Sequence, residues 1–252
     1  MRWLVLLLSL AMPVVSWLSQ QGMFGPTNGA ISDRYPTLIV AAGYAFAIWG
    51  LIFLWDVAFS AWQAFSRRAV ATPLAGIRPW AAAGFALTAV WMPVFSLKLF
   101  WLALPIIWGA LACLLVCALT LSAARTETPG STVWAWAPLS LHAGWLSMAA
   151  FLNTAQVIVA YRLLPTGAML PWTLVLFVAA AALLLWANHR MRGNLPFAAA
   201  ALWALAAVYV KQSDWTLRGS DTAAMVAIVV AIVLAAQTAW LRLRPQPRAS
   251  LG

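Results

Sequence analysis

Eight stretches of about 20 mostly apolar residues dominate the chain, and one such stretch crosses the hydrocarbon core of a bilayer as a single helix. They run near residues 3–19, 39–65, 79–97, 100–123, 134–160, 169–188, 195–212 and 222–241. In lipid, every backbone N–H and C=O must find its partner inside the protein, so runs of this kind fold as helices. Across all 252 residues the chain is 65% hydrophobic and 8% charged, with a mean hydropathy of +0.90; a soluble domain carries roughly 25% charged residues. A water-soluble domain and a disordered chain are both excluded. The expected fold is an all-α, polytopic membrane bundle of about eight transmembrane helices.

Fifteen Lys and Arg against five Asp and Glu give a formal net charge of +10. The basic residues lie in short loops between apolar runs, where they set topology and do not grip nucleic acid. One face gathers Arg2, Arg67, Arg68, Arg78, Arg125, Arg190, Arg192, Arg242, Arg244 and Arg248. The other carries Arg34, Lys98, Arg162, Lys211 and Arg218, with Asp33, Asp214 and Asp221. The positive-inside rule then puts both termini in the cytoplasm, and the expected location is a bacterial inner membrane. The first run lacks a small-residue cleavage site and reads as a retained helix. The longest loop, about 20–38, is rich in Gly, Pro, Asn and Asp; a loop of that length between two spans reads as a lid or binding loop.

Polar groups inside the spans carry the functional signal. Asp56 lies about nine residues, or roughly 13 Å, from the cytoplasmic end of the second span. An isolated carboxylate at such a depth costs at least about 2.5 kcal/mol, so it must face protein or water. His142 lies at a similar depth on the fifth span, and the two pair if their helices are neighbours. Trp49, Phe53 and Asp56 share one helical face, as do His142, Trp145, Ala149, Asn153 and Gln156. Such aromatic–polar stripes suit a pocket for a flat ligand, although Asn and Gln also bond across packed helices.

The chain holds 17 tryptophans. Most sit near span ends, where indoles favour the interface. Six lie deeper: Trp49, Trp55, Trp91, Trp108, Trp145 and Trp203. A deep indole N–H needs an acceptor or lines a cavity.

No phosphate loop, zinc spacing or HExxH motif is present, so neither catalytic residues nor a metal site is expected. Cys113 and Cys117 share one apolar run and read as packing residues. His142 is the one histidine placed to ligate a haem iron; His189 reads as a topology residue. Ala223, Ala227, Ala231, Ala235 and Ala239 form a small-residue stripe on the last span, suited to packing on the core or, second, to a dimer seam.

Three segments resemble one family. Ile48-Trp49-Gly50-Leu51-Ile52-Phe53, Leu87-Thr88-x-x-Trp91-x-Pro93-Val94-Phe95 and Trp145-x-x-x-Ala149-x-x-Leu152-Asn153 are similar to the helix-two, helix-three and helix-five motifs of the TspO/MBR family. These are the tryptophan-rich sensory proteins related to the mitochondrial translocator protein. The resemblance covers residues 1–162 and implies a five-helix core with an intramembrane pocket capped by the first loop. Residues 163–244 then form a three-helix extension, and residues 245–252 a short tail. The family binds tetrapyrroles such as protoporphyrin and hydrophobic ligands such as sterols, and its members often dimerise. Carried over residue by residue, the resemblance implies ligand contacts at Trp49, Phe53, Thr88, Trp91, Trp145, Ala149 and Asn153, with Asp56, His142 and Gln156 as intramembrane polar groups.

The chain also departs from the family. Thr88 replaces an Asn, and Asp33-Arg34-Tyr35-Pro36 stands where Trp-x-Pro-Pro is usual. Asp56 falls where small or thioether residues are common. The expected function is binding or sensing of a flat hydrophobic ligand, with a possible bound porphyrin or haem, the lipid bilayer as surroundings and a homodimer as the possible assembly. The alternative is a small proton-coupled transporter using Asp56 and His142. Light-driven breakdown of a bound porphyrin by stacked indoles is the one enzymatic reading, and nothing in the sequence supplies a base or nucleophile for a dark reaction.

Overall fold

The computed structural model describes residues 1–66, 73–124 and 129–244. Arg67, Arg68, Arg125, Arg248 and the 245–252 tail lie outside the described residues. Among those described, nine α-helices and no strand occur: α1 (Arg2–Gln20), α2 (Asn28–Arg34), α3 (Ile48–Phe65), α4 (Leu74–Ser96), α5 (Phe100–Ala123), α6 (Ala137–Ala160), α7 (Leu170–Arg190), α8 (Leu195–Asp214) and α9 (Ser220–Leu243). All but α2 are long and apolar enough to cross a bilayer. The protein is an all-α membrane bundle. Successive spans are antiparallel, so the C-terminal ends of α3, α5, α7 and α9 lie on one face with the start of α1, here the terminal face. The 21–47 segment lies on the opposite, lid face.

Helix α6 is the hub. In the apolar window of its span, 72% of residues are buried, against 22% for α1 and α9, which face lipid along most of their length. A π-helical turn at Thr132–Trp136 lengthens this span. Helices α4 and α5 approach closely at Gly84, where an added Cβ would lie 2.8 Å from Leu114 Cγ.

The C-terminal helices are tied into this arrangement. Gly144 of α6 lies against the backbone of α8, and a Cβ there would collide with the Phe197 carbonyl. Asn194 caps α8: its Oδ1 accepts from Phe197 N–H at 3.1 Å, while its Nδ2 donates to Ser140 Oγ at 2.8 Å and Ser122 Oγ at 3.2 Å. Helix α7 holds α9 through Asn188, whose Nδ2 donates to Gln237 Oε1 and Thr238 Oγ1. The alanine stripe of α9 divides. Ala223 and Ala227 are buried, whereas Ala235 and Ala239 are exposed.

Two span boundaries differ from the sequence reading. Residues 39–42 precede the second span, which runs over Gly43–Phe65 and opens with a 3-10 turn, Gly43–Ala47. Ile39 and Val40 are apolar because they are buried against protein, and Ala42 N–H donates to Ala207 O of α8 at 2.9 Å. The third span begins at Leu74, which takes Arg78 out of the loop and into the helix. There its Nε donates to Gln63 Oε1 at 3.0 Å, and Gln63 Nε2 donates to Arg2 O at 3.1 Å. A buried guanidinium so bonded carries its charge without facing lipid.

Gly144→Ala is expected to destabilise the bundle by about 2 kcal/mol or more, because a backbone carbonyl has little room to relax. Gly50→Ala, where a Cβ meets nothing within 4 Å, is the matched control and should melt at or above the unsubstituted temperature. Thermal unfolding in detergent checks both.

Candidate functional site

The candidate site lies between α3, α4 and α6 beneath the lid. Its floor is aromatic. Trp49 stacks on Phe53, with centroids 5.0 Å apart, one helical turn away on α3. Trp49 also meets Trp145 edge-on at 5.9 Å and the His142 ring at 5.6 Å. Above it, Trp91 stacks on Phe95 at 4.8 Å and donates its indole N–H to Asn153 Oδ1 at 3.2 Å. Between these groups lies a cavity lined by residues that include Trp91, Phe95, Trp145, Ala149, Asn153 and Gln156, with Ser32, Val40, Ala41 and Phe46 of the lid as the opposite wall. Its volume is about 30 Å³, room for one or two waters.

The structure therefore brings Trp91, Trp145, Ala149, Asn153 and Gln156 to one cavity. It places Trp49, Phe53, Thr88, Asp56 and His142 one layer deeper. His142 Nδ1 lies 2.7 Å from Asp56 Oδ2, and both residues are fully buried. Thr88 Oγ1 donates to Gly84 O at 2.9 Å and lies 3.4 Å from His142 Nε2. A hydroxyl has one proton, and that of Thr88 goes to Gly84, so toward His142 it accepts and Nε2 carries a hydrogen. The Asp56–His142 pair then shares a single proton on the Nδ1–Oδ2 axis and is neutral overall. Both ring nitrogens of His142 are engaged, so the residue does not fit as an axial haem ligand.

Three donors around the site lack an acceptor among the described residues: Trp49 Nε1, Trp145 Nε1 and Asn153 Nδ2. Two of them belong to residues in the cavity wall; one layer deeper, Asp56 Oδ1 is a buried acceptor without a partner among the described residues. Two other deep indoles are satisfied. Trp108 donates to Thr154 Oγ1 at 3.2 Å, and Trp203 to Ala45 O at 3.0 Å. Trp203 is 40% exposed and stands on the lipid side of α8; the sequence reading set it among the deep tryptophans.

The lid is latched from several sides. Thr27 caps α2 by accepting from Ala30 N–H. Ser96 Oγ donates to Asn28 Oδ1 at 3.1 Å and lies 3.1 Å from Ser19 Oγ, which joins α1, α2 and α4. Gln156 Nε2 donates to Ser32 Oγ at 2.9 Å. From α8, Gln212 Nε2 bridges Thr37 O at 3.1 Å and Val40 O at 3.2 Å, and Lys211 Nζ meets Asp33 Oδ1 at 3.0 Å. No sequence motif marked Gln212. Its one signal was a polar side chain near the end of an apolar run.

The family described as TSPO-like protein matches residues 2–240, through all eight spans. The chain belongs to that family. No curated protein and no solved structure matches it. The TSPO-like match thus takes in α7, α8 and α9, and α8 latches the lid of the candidate site. Among the described residues there is no group of three or more His, Cys, Asp or Glu side chains able to hold a metal ion.

Gln212→Ala leaves two buried carbonyls without this donor, at about 1–3 kcal/mol of local stability. Amide exchange across residues 37–42 should accelerate in that variant. Lys211→Ala should change it little, because an ion pair with an exposed partner contributes about 0–1 kcal/mol.

His142→Leu strands a buried carboxylate and should cost about 3–5 kcal/mol. The double variant Asp56→Leu/His142→Leu should cost less than His142→Leu alone. Unfolding in mixed micelles reads the difference, and additive losses would contradict the pairing.

Proposed function

We propose that this TSPO-like membrane protein binds a flat hydrophobic ligand of tetrapyrrole or sterol-like shape, in the manner of a sensor or receptor, between the lid and the Trp91–Trp145 wall. The observation that carries this reading is the pairing of an aromatic cavity with unpartnered donors. Trp145 Nε1 and Asn153 Nδ2 are buried in its wall without protein acceptors. A buried N–H left unmade costs about 1–3 kcal/mol, so an occupant with carbonyl, carboxylate or hydroxyl oxygens gains what the protein lacks. Aromatic faces supply the stacking surface.

Pockets for such molecules measure about 300–1,000 Å³, far more than the closed cavity. Binding therefore requires the lid wall of Ser32, Val40, Ala41 and Phe46 to move outward, and the α8 latch sets the energy of that step. Stacking and donor contacts hold the ligand without axial coordination by His142.

A second reading, a small proton-coupled transporter, draws on the 2.7 Å Asp56–His142 pair. Proton-linked uptake into liposomes that persists unchanged in Asp56→Asn would sink it.

Titration of the purified protein with protoporphyrin should quench tryptophan fluorescence saturably, and Trp145→Phe should weaken the apparent affinity about tenfold, as expected for loss of a buried stacking and donor contact. Linear, unsaturable quenching, or an affinity unchanged in Trp145→Phe, would overturn the binding site.

A further inference from the structure

On the terminal face, away from the lid, a second cavity of about 520 Å³ opens between α5, α7 and α9. It is lined by His189, Arg190 and Arg192 at the end of α7 and by Leu119, Ala123, Trp186 and Leu241, of which Leu119 and Trp186 lie about one helical turn further into the spans. The three basic residues are exposed. None of them makes an ion pair or a side-chain hydrogen bond among the described residues.

The local backbone explains their convergence. Helix α7 ends in a tight turn in which Arg192 N–H donates to His189 O and Gly193 N–H to Asn188 O. Arg192 takes the left-handed conformation at φ 56° and Gly193 follows at 75°, the usual way a helix C-terminus reverses. The turn brings Arg192 to the same opening as His189 and Arg190. The neighbouring cations are committed elsewhere. Arg242 Nη1 donates to Gly193 O at 3.4 Å, and the Arg244 guanidinium lies 3.4 Å from the Trp240 ring centroid.

Charge in a loop suffices to set topology; it does not require a cavity with two kinds of wall. Here a cationic rim surmounts an apolar floor that reaches into the spans. Leu119, Trp186 and Leu241 belong to membrane-crossing helices, and Trp186 is half exposed, as suits an indole at the headgroup level. The described carboxylates lie elsewhere: Asp33, Asp214 and Asp221 on the lid face and Asp56 inside the bundle. A soluble anion would use the rim and gain nothing from the floor. A phospholipid uses both, with its phosphate against the guanidinium groups and the start of its acyl chains along the floor. Basic pockets between helices at a membrane surface recognise such headgroups.

We propose that this cavity is a binding site for an anionic phospholipid, with Arg190, Arg192 and His189 holding the phosphate. The site lies at a membrane surface whichever way the chain is inserted, and it is independent of the ligand cavity under the lid.

Native mass spectrometry of the full chain, exchanged from detergent into mixed phosphatidylglycerol and phosphatidylcholine, tests it. The unsubstituted protein should retain phosphatidylglycerol preferentially. Arg190→Gln/Arg192→Gln should lower that retention on the order of 25-fold, about fivefold per arginine. Arg244→Gln, on the same face but stacked on Trp240, should leave it within about twofold. All three side chains are exposed, and an unchanged melting temperature confirms that the variants fold. Equal retention of the two lipids, or an unchanged preference in the double variant, overturns the proposal. Displacement of the lipid by millimolar inorganic phosphate overturns the lipid assignment and leaves a soluble anion as the ligand.

Discussion

The contact between Gly144 and the Phe197 carbonyl governs how the rest of the lid face is assembled. Lipid gives packed helices no hydrophobic reward for associating, so close backbone approach must supply the attraction. Gly144 permits that approach on α6. On α8 the buried positions Ala198, Ala200, Ala201, Ala204 and Ala207 keep the facing surface thin. With α8 seated this closely, Ala207 O, Gln212 and Trp203 reach backbone groups of the 37–45 segment. The lid is thereby held by a helix more than 150 residues away in the chain.

Burial and polarity coincide on α6. The most buried span also carries Ser140, His142, Ser147, Asn153 and Gln156, all buried. In a water-soluble core such a helix would be a liability. In a membrane protein it is the one position where polar side chains avoid lipid altogether. Each group then needs a partner from a neighbouring helix: Ser140 from Asn194, His142 from Asp56 and Thr88, Asn153 from Trp91, Gln156 from Ser32. Ser147 returns its proton to Ala143 O within the helix. On α6 the atoms left over, Trp145 Nε1 and Asn153 Nδ2, belong to residues of the cavity wall.

Much of this was legible from spacing alone. Apolar runs of fixed length locate the spans, and the i, i+3, i+4 rows placed Trp145, Ala149, Asn153 and Gln156 on one face. Asp56 and His142 declared themselves because an acid and a histidine at equal depth have few other ways to avoid lipid. The lid was harder to read. Residues 39–42 are as apolar as the span they precede, since burial against protein and immersion in lipid select the same side chains. Gln212 and its carbonyl partners lie more than 170 positions apart, and helical periodicity carries no information across that distance. Trp203 sits mid-span and its indole N–H finds Ala45 O, but depth along a helix axis did not say that its ring would be 40% exposed. The basic residues of the 189–192 turn read as topology markers, and only the three-dimensional turn shows them sharing one opening.

The shared proton of Asp56 and His142 has an electrical consequence. With the proton on the imidazole the pair is a strong dipole along the 2.7 Å axis; with it on the carboxyl the dipole is weaker, and in neither arrangement does the membrane interior hold net charge. Displacing one nucleus by less than an ångström thus changes the local field without the cost of moving an ion through hydrocarbon. The Trp49 indole stands edge-on at 5.6 Å from the imidazole. A carboxylate and an imidazole thus sit at the centre of the bundle as one neutral unit, which hydrocarbon tolerates far better than either charge alone.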